Sequence, residues 1–241
     1  MIHKTGGIVL HRFKYSDSKV IAKIFTEEFG LQSYMFFGAN SKRGRLQINL
    51  LQPLFPVDLQ VYYKETVQLQ KAKEANLMFP LNSIALDYAK NAVSFFLAEF
   101  IYKVLKENEK DIELYSFLID SIKIYESLTE NISNFHLLFL YRLAKYLGIQ
   151  PEINYSDSHK IFDFQSAKFV VGRPEHPNFF NEKLSLIFSD FKDLSLNEFS
   201  ALNVSNSDRK ELLDGIIKFY NIHLDRPGKI KSLEVLKEVF S

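Results

Sequence analysis

The strongest candidate for chemistry in this 241-residue chain is FFGANSKRGR, residues 36–45, where Lys42, Arg43 and Arg45 follow Gly38 and flank Gly44. Three cations so close together suit contact with the phosphates of a polyanion, although the same residues also make an ordinary solvated turn. The glycines favour the first reading, because a backbone without Cβ lets a nucleic-acid strand come close. Lys4, Arg12, Lys14, Lys19 and Lys23 lie nearby in sequence, interleaved with Phe13, Tyr15, Tyr34, Phe36 and Phe37. Rings that stack bases, beside cations that meet phosphates, are what a single strand needs. The competing account has the rings filling a core and the cations keeping the surface soluble.

Other chemistries find little support. There is no Gly-rich GK[ST] loop, no GxSxG and no HExxH. The six histidines are scattered at positions 3, 11, 136, 159, 176 and 223. His159 and His176 flank an irregular segment and are the one pair to consider for a metal. Without cysteine or an acidic cluster they read as loop histidines. Glu27 and Glu28 are adjacent, and neighbours in a strand or turn point apart, so they read as solvated rather than as an acid–base couple. No nucleophile, base and oxyanion donor converge, so no enzymatic turnover and no cofactor are expected.

Composition narrows the class further. Cysteine is absent, which excludes disulfides, thiolate chemistry and iron–sulfur clusters. No run of apolar residues approaches the roughly 20 needed to span a bilayer, and the N-terminus lacks a signal-peptide pattern. A soluble, cytosolic protein is expected. The net charge of +1 conceals an asymmetry: residues 1–81 carry eleven Lys/Arg against six Asp/Glu, and the remainder nineteen against twenty-three. A basic front and a mildly acidic back suggest modules with different partners.

The elements that must position these residues change character near Phe79-Pro80. Before it, Gly7–Phe13, Lys19–Thr26, Leu31–Ala39, Val57–Tyr63 and Val67–Ala75 read as five short strands, with Val57, Leu59, Val61 and Tyr63 alternating onto one face. This suggests a small barrel of the oligonucleotide-binding (OB) type, with a small sandwich leaving a similar trace. After it, apolar residues recur at helical spacing from Ser83 to Leu105, Leu114 to Tyr125 and Phe135 to Leu147, where Gly148 and Pro151 end the run. Residues 152–181 are irregular, with short strands expected at Lys160–Phe164 and Ala167–Val171. Ser195-x-x-Glu198 and Asp208-x-x-Glu211 read as capping boxes, and Ser232 as the cap of a last helix. The expected fold is therefore α+β and multidomain: a five-stranded OB barrel over 1–80, then an all-helical domain over 81–241 containing the irregular 152–181 segment.

The order of these motifs resembles the bacterial recombination mediator RecO family. The resemblance runs through KTGGIVLHRFKYSDSKVIAKIFTEEFGLQSYMFFGANSKRG, LLQPLFPVDLQVYY, LQKAKEANL, FLYRLAKYLGIQPEI and RPGKIKSLEVLKEVF, spanning nearly the whole chain. It implies a DNA repair and recombination mediator that binds single- and double-stranded DNA and anneals complementary strands. It also implies association with RecR, recruitment by the acidic tail of single-stranded DNA-binding protein (SSB), help in loading RecA, and a cytoplasmic, nucleoid-associated location. On this reading Lys42, Arg43, Arg45, Arg12, Lys14 and Lys19 are candidate DNA contacts. Arg226, Lys229 and Lys231 are either a second contact or simply residues leading into the last helix. Arg142 and Lys145, three apart on one helix face, are candidates for the tail, with a solvated face as the alternative. An OB-like adaptor that binds protein rather than DNA is the competing function. Many family members carry a four-cysteine zinc module after the LGIQP-like motif. Here NYSDSHKIFDFQSAKFVVGRPEHPNFF has no cysteine, so no metal is expected, and packing of Phe162, Phe164 and Phe169 is expected to hold a small hairpin instead.

Overall fold

The computed structural model describes residues 1–38, 41–129, 132–198, 202, 204–224 and 226–240, apart from the side chains of Arg43, Arg45, Leu46 and Gln47. It separates into two compact units, Met1–Glu126 and Ser127–Ser241. The change from strands to helices near residue 81 and the division in packing at residue 126 are thus different boundaries.

In the first unit, β1 (Ile2–Ser16), β2 (Lys19–Thr26), β3 (Gly30–Phe37), β4 (Pro56–Tyr62) and β5 (Leu69–Leu77) form a closed barrel in the order β1-β2-β3-β5-β4. Closure depends on the long β1, whose first half pairs with β4 while its second half continues along β2. Register shifts at Val9/His11 and Lys14/Ser16 bend it. The β3–β5 seam is parallel and the other pairings are antiparallel. Val9, Val20, Ala22, Ile24, Tyr34, Phe36, Val57, Leu59 and Val61 fill the interior. Alternation along β4 is the one expected from its sequence, with Val57, Leu59 and Val61 buried and Asp58 exposed.

One element departs from expectation. The basic stretch offered as a phosphate contact or a solvated turn is a helix, α1 (Lys42–Asn49), beginning two residues after Asn40; Ala39 and Asn40 both lie outside the described residues. Ser41 caps it: its hydroxyl accepts from the Gly44 amide at 3.0 Å and donates to the Gly38 carbonyl at 2.8 Å. A Cβ on Gly44 would lie 1.9 Å from the Gly38 carbonyl oxygen. Gly44 is therefore required for the chain's own turn into the helix, not to admit a ligand. Ile48 of α1 and Leu50 and Leu51 just after it pack with the barrel core, which anchors the C-terminal end of the helix there.

The same unit continues through α2 (Ser83–Leu86), α3 (Tyr88–Val104) and α4 (Ile112–Ser127). The Glu126 carboxylate accepts from the amides of Asn82, Ser83 and Ile84 at 2.8, 2.7 and 2.8 Å, capping α2 from the far end of α4. Lys90 is buried beside it and donates to the carbonyls of Tyr125 and Glu126 at 3.0 and 3.1 Å; burial pushes its ammonium pKa down. Helix α3 packs on β1, where His11 stacks on Tyr102 with centroids 5.8 Å apart.

The second unit comprises a 3-10 turn (Ile132–Asn134), α5 (Phe135–Tyr146), strands β6 (Ile161–Asp163) and β7 (Lys168–Val170), α6 (Glu182–Asp190), α7 (Asn206–Leu224) and α8 (Ser232–Val239). Gly148, at φ +72°, ends α5 in the expected way: its amide bonds the Lys145 carbonyl and the Ile149 amide bonds that of Ala144. The β6–β7 hairpin stands on Phe162, which is fully buried with ring centroids 5.1 Å from Phe169, 4.6 Å from Phe188 and 6.0 Å from Phe219. Phe164 joins the cluster through Phe180 at 4.7 Å. Strands of three residues cannot hold a hairpin by backbone bonds alone, and this aromatic cluster supplies the packing.

The capping boxes need correction. Ser195 and Glu198 make half of the expected box, with Ser195 N–H and Oγ donating to the carboxylate at 2.9 and 2.7 Å, but the Glu198 amide donates to the Ser195 carbonyl at 3.0 Å and closes a turn; residues 199–201 lie outside the described residues. The box at α7 begins three residues early: Ser205 accepts from the Asp208 amide at 3.1 Å and Asp208 accepts from the Ser205 hydroxyl at 2.6 Å. Asp208 serves as the acidic partner, not the cap. Ser232 is the first residue of α8, whose cap position is Lys231.

Candidate nucleic-acid interface

Because Val20, Ala22 and Ile24 point into the barrel, the alternate residues Lys19, Ile21 and Lys23 of β2 face outward. Their cross-strand partners share that face, so Phe13 lies beside Ile21, and Phe37 beside Lys19. Helix α3 covers part of this surface near His11. Beyond it Phe13, Tyr15 and Phe37 remain 42%, 60% and 43% exposed, and the Lys19 ammonium sits 5.6 Å from the centroid of the Phe37 ring. This is an aromatic and cationic platform at the β1–β2 hairpin end. Tyr34 and Phe36, which the sequence could not distinguish from these rings, are fully buried interior residues. Burial, which also drives the Tyr34 phenol above its ordinary pKa, keeps this ring from contact with a ligand.

The sequence-predicted cations divide by role. Arg12 lies opposite Ala22 and donates to the Ile48 carbonyl at 2.7 Å and to Gln52 Oε1 at 3.4 Å. It holds the C-terminal end of α1, where a cation also meets the negative end of the helix dipole. Partial burial lowers its pKa, without discharging a guanidinium. Lys14 pairs with Asp17 at 2.6 Å in solvent, and Lys42 is exposed in the first turn of α1. Arg43 and Arg45 lie on the same helix, with side chains outside the described set. That first turn contains no acidic residue, so its cations oppose the helix dipole unless an anion joins them. A cleft of about 470 Å³ lined by Arg12, Phe13, Lys14, Asp17, Ile48 and Asn49 lies between the hairpin and α1.

In the second unit, Arg142 turns one terminal nitrogen toward the chain just after α6. It donates to the carbonyls of Phe191 at 3.4 Å, Lys192 at 3.1 Å and Leu194. Lys145, one turn on, is exposed with its ammonium 5.9 Å from the Tyr146 ring. Arg226, Lys229 and Lys231 are exposed around the cis Arg226-Pro227 bond. His159 and His176 have separate engagements. The His159 ring bonds Ser156 and Ser158, while His176 contacts Asp163 at 3.3 Å. Among the described residues no group of three His, Asp or Glu is placed to hold a metal, and no helix is long and apolar enough to cross a membrane.

Comparisons with known proteins bear on the whole chain. Residues 1–81 match the family model for the recombination protein O N terminal, and residues 85–234 that for the recombination protein O C terminal. The chain is 34% identical over 240 residues to a DNA repair protein RecO of Azobacteroides pseudotrichonymphae, covering 100% of both. It is 32% identical over 241 residues to one from Phocaeicola vulgatus, again covering 100% of both. A third, from Flavobacterium psychrophilum, is 32% identical over 240 residues, covering 99% of each.

Proposed function

Since the chain belongs to the recombination protein O family, we propose that it acts in DNA repair and recombination by holding single strands on the exposed face of its barrel. The observation that carries this reading is Lys19 over the Phe37 ring with Phe13 and Tyr15 exposed close by. Stacked rings hold a base by its face and lysines hold the backbone, leaving the Watson–Crick edge free. A strand held that way can still pair, which is the physical requirement for annealing. The first turn of α1 adds a phosphate contact that offsets the unfavourable placement of Lys42 on a positive helix end.

In this reading residues 1–80 are the nucleic-acid module, for single and double strands, and the chain performs no turnover. Residues 81–241 supply protein contacts, with RecR, with the SSB tail and through them with RecA, in the cytoplasm on the nucleoid. Lys145 is the cation offered to an acidic tail, and Arg142 positions the turn beside it. Arg226, Lys229 and Lys231 form a second backbone contact.

The experiment is DNA binding and strand annealing across a salt series, with and without SSB. Replacing Lys42, Arg43 and Arg45 by alanine is expected to flatten the log–log salt slope by about two to three units. Phe13→Ser and Phe37→Ser are expected each to weaken single-strand binding by about 1–3 kcal/mol while leaving the fold intact, because both rings are exposed. Folded variants with an unchanged slope and unchanged affinity would overturn the reading.

A further inference from the structure

The segment that lacks the cysteines builds a second cleft, of about 500 Å³, in the helical unit. Its walls include Ser158, Lys160, Ile161, Arg173, Phe179 and Glu182. The sequence alone gave Lys160 and Arg173 no ligand role, because they belong to no binding motif and stand thirteen residues apart. The hairpin brings them together. Lys160 directly precedes β6, and Arg173 follows Gly172, whose φ of +70° turns the chain away from β7. Phe179 bridges to Asp163, and the neighbouring Phe180 is buried in the aromatic cluster, which leaves the Phe179 ring facing outward. The Arg173 guanidinium then lies over that ring, 5.3 Å from its centroid. Neither Lys160 nor Arg173 has a carboxylate within salt-bridge distance among the described residues.

We propose that this cleft binds a phosphorylated nucleoside. A guanidinium over a ring offers a base both a planar cation and an aromatic face to stack against. Lys160 supplies a point charge for the phosphate. The volume lies within the range of small-ligand sites. Glu182, also in the lining, gives the cleft an acceptor for the ring or exocyclic N–H of a base, a donor that an acidic side chain does not offer. Phosphorylated nucleosides reach a protein as free nucleotides or as strand ends, and both present the same chemistry.

The test is titration of the full chain, isotope-labelled for amide NMR. The probes are a deoxynucleoside 5′-monophosphate, the nucleoside, inorganic phosphate, an acidic peptide, and oligonucleotides with 5′-phosphate or 5′-hydroxyl ends. The mononucleotide is expected to shift the amides of Ser158, Gly172 and Arg173, and to bind about tenfold more tightly than nucleoside or phosphate alone. Arg173→Ala and Lys160→Ala are each expected to weaken it by about tenfold. Arg173→Lys should keep phosphate binding and lose the gain from the base, since ammonium has no plane to stack. A preference for the 5′-phosphorylated oligonucleotide identifies the strand end as the source, and its absence, with mononucleotide binding kept, identifies the free nucleotide. The proposal is overturned if phosphate alone binds as well as the mononucleotide, if the peptide takes the cleft and the mononucleotide does not, or if the shifts survive both alanine substitutions. The Lys42, Arg43 and Arg45 alanine variant should leave the mononucleotide response intact, so that failure here is distinguishable from failure of the barrel reading.

Discussion

The two units use the same side chains for opposite purposes. In the barrel unit, Phe13, Tyr15 and Phe37 are exposed and Lys19 stands over one of them. In the helical unit, the rings of Phe162, Phe169, Phe180 and Phe188 are the core. There Arg142 and Arg209 are turned inward on polar partners, Arg209 donating to Asn134 Oδ1 at 2.8 Å and Asn206 Oδ1 at 2.6 Å. The reason lies in how each unit closes. A barrel satisfies its own backbone and fills its interior with the side chains of alternate residues, Tyr34 and Phe36 among them, so the rings of its outer face and cations such as Lys19 are available, while Arg12 is engaged by α1. The helical unit has short strands, open turns and helix ends whose carbonyls need donors, and arginine supplies them. A count of cations and rings therefore says little about binding until it is known which backbone groups remain to be satisfied.

The comparison can be broken most severely at the aromatic core. Phe162→Ala is expected to cost about 3–5 kcal/mol in chemical denaturation, by the cavity it leaves in a fully buried cluster. Phe37→Ala on the barrel should stay within about 0.5 kcal/mol of wild type. Equal losses would mean that the two ring sets are not differently employed.

Acid separates the units next. Burial, with a smaller contribution from Arg209, lowers the His136 pKa from 6.5 to about 3, so the folded chain keeps this ring neutral. The unfolded chain binds a proton there below pH 6.5 and the folded chain does not. Stability is thus full above pH 6.5 and falls as pH drops toward 3, with a slope of up to about 1.4 kcal/mol per pH unit from this group. His136→Leu should flatten that slope in denaturation curves taken between pH 6.5 and 4. Asp208, held low chiefly by its bond from Lys183, adds a loss confined to pH below its unfolded value of 3.8, as the pH falls through its folded pKa.

Smaller effects sharpen the contrast among cations. Arg142→Ala is expected to cost about 1–3 kcal/mol by leaving carbonyls without a donor, whereas Lys19→Ala should be nearly neutral for stability. Lys42→Glu should stabilise the free chain by about 0.3–1 kcal/mol through the α1 dipole, while weakening DNA binding in the salt series. A stability loss with Lys42→Glu would mean that this cation already has an internal role.

Much of the architecture was legible because local pattern and tertiary outcome agree. Alternation in VDLQVYY, the helical spacing from Phe135 to Leu147 and the Gly148 stop each specify their element without reference to the rest of the chain. Helix α1 was not legible, since the apolar packing of Ile48 is made against the barrel, far off in sequence, and its glycine signals a turn as readily as a close approach. The Asp208 box was misplaced because Ser205 and Asp208 both carry capping chemistry, and only the backbone path chooses between them. Sequence by itself determined the family, the barrel strands, the main helices and the excess of cations at the front of the chain, all of which depend on residue type and short-range spacing. Tertiary structure alone decided which rings are core and which are surface, that Arg12 and Arg142 hold backbone carbonyls, and that Lys160 and Arg173 share a cleft. Those outcomes depend on which groups meet across long separations in the chain, and no local period encodes that.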